Sequence, residues 1–187
     1  MTDPEHTTSA PAAPVVDVVC PDHRQPSILH TFRRRAGDAE AWSTVAPLTA
    51  AERRQLRREG IDAEGIRQAQ ETAERIRVDR TGEDPGRLFV YPDHRELTAA
   101  EMVAERMANP DTPPPPMYVK RIITCERCAS RGSTPRVEAR EETLFRALDK
   151  ALTVAEGLDA AGAEVDRSAA GHLRVTVGAL QTLIRSA

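Results

Sequence analysis

Two short clusters, far apart in the chain, restrict its fold more than anything else: Cys20-Pro21-Asp22-His23 and Cys125-Glu126-Arg127-Cys128. Between them they use all three cysteines. Each places two zinc-type ligands three positions apart, which lets one tight turn aim both side chains at a single ion. Three thiolates and one imidazole fill a tetrahedral Zn²⁺ shell, and a filled shell marks a structural site. Three cysteines cannot pair evenly as disulfides. Asp3 and Glu5 stand where a secretory leader would carry basic residues before an apolar block. The expectation is therefore a cytoplasmic chain with reduced thiols. Cys20, His23, Cys125 and Cys128 would hold one structural Zn²⁺, with His30 as the alternative to His23 for the fourth position.

With 187 residues there is room for one ordinary domain or two small ones. Aromatic residues make up only 3%, so the core must rest on Leu, Val, Ile and Ala. No apolar run approaches the roughly 20 residues of a membrane span, so no membrane partner is expected. Lys120 and Lys150 are the only lysines. Positive charge is thus almost all arginine, which with the abundant alanine points to a GC-rich bacterial or phage genome.

Along the chain, the polar, Pro-containing start (1–14) reads as a disordered tail. Val15 to Val19 is a β-branched strand feeding Cys20; Ile28 to Arg33 is a second strand, Ala36-Gly37-Asp38 a turn, and Glu40 to Val45 a returning partner. Thr49-Ala50-Ala51-Glu52 is a capping box opening a helix that Gly60 ends. Asp62 caps another helix, over 63–77, with Ile61 and Ile66 as a hydrophobic staple. After a loop at 82–86, Arg87 to Tyr91 is a short strand. Thr98-Ala99-Ala100-Glu101 opens a helix that Asn109-Pro110 ends, and Pro113 to Pro116 is a stiff spacer. Met117 to Thr124 then feeds Cys125 as Val15 to Val19 feeds Cys20, and Arg136 to Arg140 returns. The longest helix is expected over 141–156, with Gly157 and Gly162 bracketing its end. Leu173, Val175 and Val177 alternate as a strand, and an amphipathic helix over 177–186 closes the chain. Pro-Asp-His-Arg recurs at Pro92, but Tyr91 stands there in place of a cysteine.

Two ligand knuckles, each at the end of a strand, resemble a zinc ribbon. The resemblance departs from the usual pattern in having His23 as one ligand and a long insertion between knuckles, tolerable because loop closure grows only logarithmically with length. It implies an α+β protein built as a zinc-ribbon-like β module with a helical insertion and a C-terminal helical lobe. The expected parts are a tail (1–14), the first half of the module (15–46), a mainly helical insertion ending in the Pro-rich spacer (47–116), the second half (117–140) and the lobe (141–187).

Basic residues crowd both knuckles: Arg24, Arg33, Arg34 and Arg35 on one side, Lys120, Arg121, Arg127 and Arg131 on the other. Converging, they could meet the phosphates of DNA or RNA. The first functional expectation is thus a small zinc-binding accessory protein that contacts nucleic acid through this face. The rival is a protein-interaction or assembly factor working through its helices, with zinc purely structural. A Cys125/Cys128 redox pair is a third reading, weakened because the residues after Cys128 do not begin a helix. No catalytic residues are expected: a closed shell leaves no position for substrate, and no phosphate loop, His-Glu-x-x-His or G-x-S-x-G is present. Asp93-His94 could form an acid/base pair, but such a dipeptide is common on loops.

Overall fold

The computed structural model describes residues 13–23, 26–34, 42–44, 50–62, 65–66, 86–129, 131–132 and 135–187. The expected tail up to residue 12, the turn at 36–38, the Thr49 cap, the helix beyond Ile66, the loop at 82–85, and Arg24 and Arg35 lie outside these residues.

The first sheet grows around β1 (Val15–Cys20). β2 (Ser27–Arg34) pairs with it antiparallel, and β3 (Trp42–Thr44) adds to β2. Strand alternation would bury only every second residue of β1, yet Val16 through Cys20 are all buried. Asp17, on the opposite face from Val16 and Val18, is bonded to Thr31 and His172, so the second face of β1 is covered as well. Val18 faces His30 and Val19 faces Ile28, leaving Leu29 as the extra residue of a bulge on β2 and shifting the alternation of β2 by one. Leu29 packs on the main core and on the cysteine cluster alike.

The second sheet is antiparallel throughout, in the order β5-β4-β6-β7. Its strands are β4 (Arg87–Val90), β5 (Glu96–Leu97), β6 (Tyr118–Thr124) and β7 (Arg136–Arg140). Pro92-Asp93-His94-Arg95 forms the turn between β4 and β5, with His94 at φ 67°. Gly86 opens β4 at φ 77°, and a Cβ there would lie 2.0 Å from the Ile122 carbonyl oxygen. Only glycine fits.

Of the helices, α1 (Ala50–Arg58) ends where Gly60 takes a positive φ, and α2 (Ala99–Ala108) carries the full Thr98/Glu101 capping box. The single turn α3 (Glu126–Ala129) lies between β6 and β7. The longest helix, α4 (Glu141–Ala160), passes through Gly157 and stops only before Gly162, at φ 74°. Gly157 therefore does not bracket its end. Finally β8 (Leu173–Thr176) pairs parallel with β1 to complete the order β3-β2-β1-β8, and α5 (Val177–Arg185) follows directly, capped by Thr176.

The protein is α+β, but its knuckles do not share one small ribbon. The first ends β1 of one sheet and the second ends β6 of the other. Each hairpin is extended by strands distant in sequence, so neither is a free-standing half-module. The core is common to both sheets. Val16, Val18, Phe32 and Trp42 of the first meet Ile123 and Val137 of the second through Leu144, Ala147, Leu148, Ala151 and Leu152 of α4, with Leu180 of α5. Residues 141–187 thus supply the middle of this core.

Candidate metal centre

Each knuckle is a hairpin connection whose strand fixes the first ligand and whose turn swings in the second. Cys20 is the last residue of β1, paired with Ser27, and His23 lies in the turn that follows. Cys125 follows β6 directly, its N–H donating to the Pro135 carbonyl at 3.3 Å. One helical turn brings Cys128 back, the Cys128 N–H donating to the Cys125 carbonyl at 3.0 Å.

The four side chains converge. Cys20 Sγ lies 3.7 Å from Cys128 Sγ, His23 Nε2 lies 3.2 Å from Cys125 Sγ, and Cys128 Sγ lies 3.7 Å from His23 Nε2. All four ligand atoms fall within 4.8 Å of one another. The thiols are buried and His23 is half-buried. The sulfurs are well outside the ~2.05 Å of a disulfide bond, and all three cysteines are free. The thiols do not hold their protons alike. Burial raises Cys125, but hydrogen bonds from His23, the Cys128 backbone and the neighbouring thiols outweigh it and bring the group down to about 7. Burial, then competition with Cys125 and Cys20, pushes Cys128 up to about 12. Cys20, His23, Cys125 and Cys128 together could hold a metal ion.

His30 stands apart from this group, on β2, with Nε2 3.2 Å from Thr44 Oγ1 and its ring 4.4 Å from that of Phe32.

The described residues of the expected basic face differ in exposure. Arg121 is only 3% exposed, its Nε donating to Glu141 Oε2 at 2.7 Å and its Nη1 to Thr44 Oγ1 at 3.3 Å. Lys120 donates to Glu138 at 2.8 Å and to Glu96. Arg34 pairs with Asp149 at 3.5 Å, and Arg33 is half-buried. Arg127 and Arg131 are exposed on the second knuckle. Phe32 and Trp42 are core residues; Tyr118 lies under the Arg140 guanidinium at 4.3 Å.

Asp93 and His94 do not form an acid/base pair. Asp93 instead accepts from Arg95 Nε at 2.6 Å, which holds its carboxyl below the usual range. An acid–imidazole pair that no local sequence pattern reveals joins β1 to the segment before β8. Asp17, 1% exposed, accepts from Thr31 Oγ1 at 2.7 Å and lies 3.2 Å from His172 Nδ1. These residues stand 155 positions apart, and the pairing depends on β8 docking beside β1.

In comparisons with protein-family models, with curated proteins and with solved structures, the chain matches none.

Proposed function

We propose that this chain is a zinc-stapled, non-catalytic binding protein. One Zn²⁺ is held by Cys20, Cys125 and Cys128 as thiolates and by His23 Nε2 as neutral imidazole. The observation that carries this is the ligand spacing. Zn–S and Zn–N bonds of about 2.3 and 2.0 Å around a tetrahedral ion place sulfurs about 3.8 Å apart and sulfur and nitrogen about 3.5 Å apart. Three of the cluster's separations are close to these, 3.7 Å between the Cys20 and Cys128 sulfurs and 3.2 and 3.7 Å from His23 Nε2 to the Cys125 and Cys128 sulfurs, and all four ligand atoms lie within 4.8 Å of one another. Three soft donors and one imidazole suit zinc better than magnesium or calcium, which take oxygen. Four protein ligands leave no open position, which supports a structural ion over a catalytic one.

The partner in this reading is a protein. Lys120, Arg121 and Arg34 are engaged by carboxylates of the same chain, which takes these three from the cations that could meet a phosphate backbone. Nucleic-acid binding rests on Arg127 and Arg131 among the described residues.

Native mass spectrometry of the purified protein and its Cys125→Ser variant tests the staple. One Zn²⁺ per chain, lost in the variant, is the expected result; a folded, metal-free wild type would sink it. Titration of a DNA duplex and an RNA strand at low and moderate salt tests the partner class. Tight binding that weakens steeply with salt would restore the phosphate reading.

A further inference from the structure

β7 is an edge strand, paired among the described residues only with β6. In an antiparallel ladder the N–H and C=O of one residue point to the same side and alternate along the strand. The Pro135 carbonyl points inward, accepting from Cys125 N–H, while the Arg136 carbonyl points outward and accepts from Gln181 Nε2 of α5 at 2.7 Å. The backbone groups of Arg136 and Glu138 therefore face away from the sheet. They face a cleft of about 390 Å³ between β7 and α5, lined by Arg136, Val137, Glu138, Gln181, Ile184 and Arg185.

We infer that this cleft receives an extended acidic peptide from a partner protein, which adds to β7 as a further antiparallel or parallel strand. An edge strand beside a helix is one of the recurring ways proteins take up extended peptides, backbone hydrogen bonds giving affinity and side-chain contacts giving selection. Half-buried Ile184 offers an apolar contact. Charge selects acid: Glu138 is already bonded by Lys120 and Arg136, whereas Arg185, exposed in the last turn of α5, has no carboxylate partner among the described residues. Gln181 holds the place of the incoming strand, its amide donating to the carbonyl that a peptide N–H would otherwise reach. This inference rests on the protein-partner reading above and names its site.

The test is fluorescence anisotropy of a labelled seven-residue peptide alternating Glu and Val, titrated with zinc-loaded protein at low salt. Zinc content is measured on the same sample. Saturable binding is expected, with the Lys/Val counterpart and the Arg185→Glu variant each about tenfold weaker or worse. A peptide N-methylated at alternate amides should lose binding to the wild type, since it keeps the charge but cannot pair with a strand edge. Gln181→Ala should bind a few-fold more tightly, because the carbonyl is left free. Equal binding of the N-methylated peptide, or no saturation by ~1 mM with zinc-loaded protein, would overturn the cleft assignment and leave the zinc staple standing. Absence of zinc from the sample would instead count against the reading beneath it.

Discussion

Among single residues, Arg121 has the most to hold together. It is buried on β6, bonds Glu141 in the first turn of α4 and Thr44 on β3 of the other sheet, and stands 5.9 Å from the centre of the Phe32 ring. Glu141 accepts from Arg87 Nη2 at 3.2 Å as well, so one carboxylate fixes two strands of the second sheet to the start of α4. Its position also suits the positive end of the helix dipole. Glu141→Gln leaves the Arg121 guanidinium buried without its counter-charge and should cost about 3 kcal/mol, read as a lower urea midpoint at unchanged slope. Lys120→Met should cost less than about 1 kcal/mol by the same measurement, because its carboxylates are half-exposed. Equal costs for the two would mean that burial does not set the worth of these pairs. Gly86 is the other single residue on which much depends. Gly86→Ala would drive a methyl into the Ile122 carbonyl in a left-handed conformation. A loss of about 2 kcal/mol or more is expected, with weakened amide protection across β4 and β6.

Elements show how far each kind of signal reaches. α2 has no buried residue, so packing contributes little to it and its cap contributes much. Thr98 Oγ1 accepts from Glu101 N–H, while the Glu101 carboxylate accepts from Thr98 N–H and holds a lowered pKa. Thr98→Ala should lose about 1 kcal/mol of local stability. Faster hydrogen exchange at Met102 and Val103, with little change in global unfolding, would report it. This box was legible because a cap is a four-residue pattern. The knuckles were legible for the same reason: ligand type and spacing lie within one turn. The strands feeding them were legible from β-branched runs. Pairings were not. Leu173 to Val177 read correctly as mainly strand, but nothing local says that it docks parallel to β1 and builds a four-stranded sheet. Gly157 read as a stop, yet α4 runs through it, since a helix already packed along one face tolerates a single glycine. Arg121 read as part of a basic surface because an arginine pattern carries no record of Glu141, the helix carboxylate that the fold places beside it.

At the scale of the molecule, the two sheets are joined by the shared core around α4 and by the cysteine–histidine cluster at the hairpin ends, besides the Arg121–Thr44 bond. The core contains Leu144, Leu148, Leu180, Phe32 and Val137, all essentially inaccessible, and none of the four ligand residues belongs to it. The cluster is different: beyond the ligands themselves, half-buried Leu29 is the one hydrophobic residue packed on it among the described residues. Removing Zn²⁺ should therefore loosen the hairpin ends and leave most of the helix content in place, with a Tm lowered by roughly 10 °C or more. A chelator titration followed by far-ultraviolet circular dichroism and a thermal melt separates the two. The sign with pH follows from the thiols. In the metal-free chain Cys128 lies near 12 and keeps its proton throughout the working range, so binding must expel at least that proton. Affinity should accordingly rise about tenfold or more for each pH unit between about 6 and 8 and fall as the solution is acidified, measured by competition with a chromophoric chelator. A pH-independent affinity would mean that Cys128 does not ligate as thiolate, and the shell would be left with three members and an open position that structural zinc does not have.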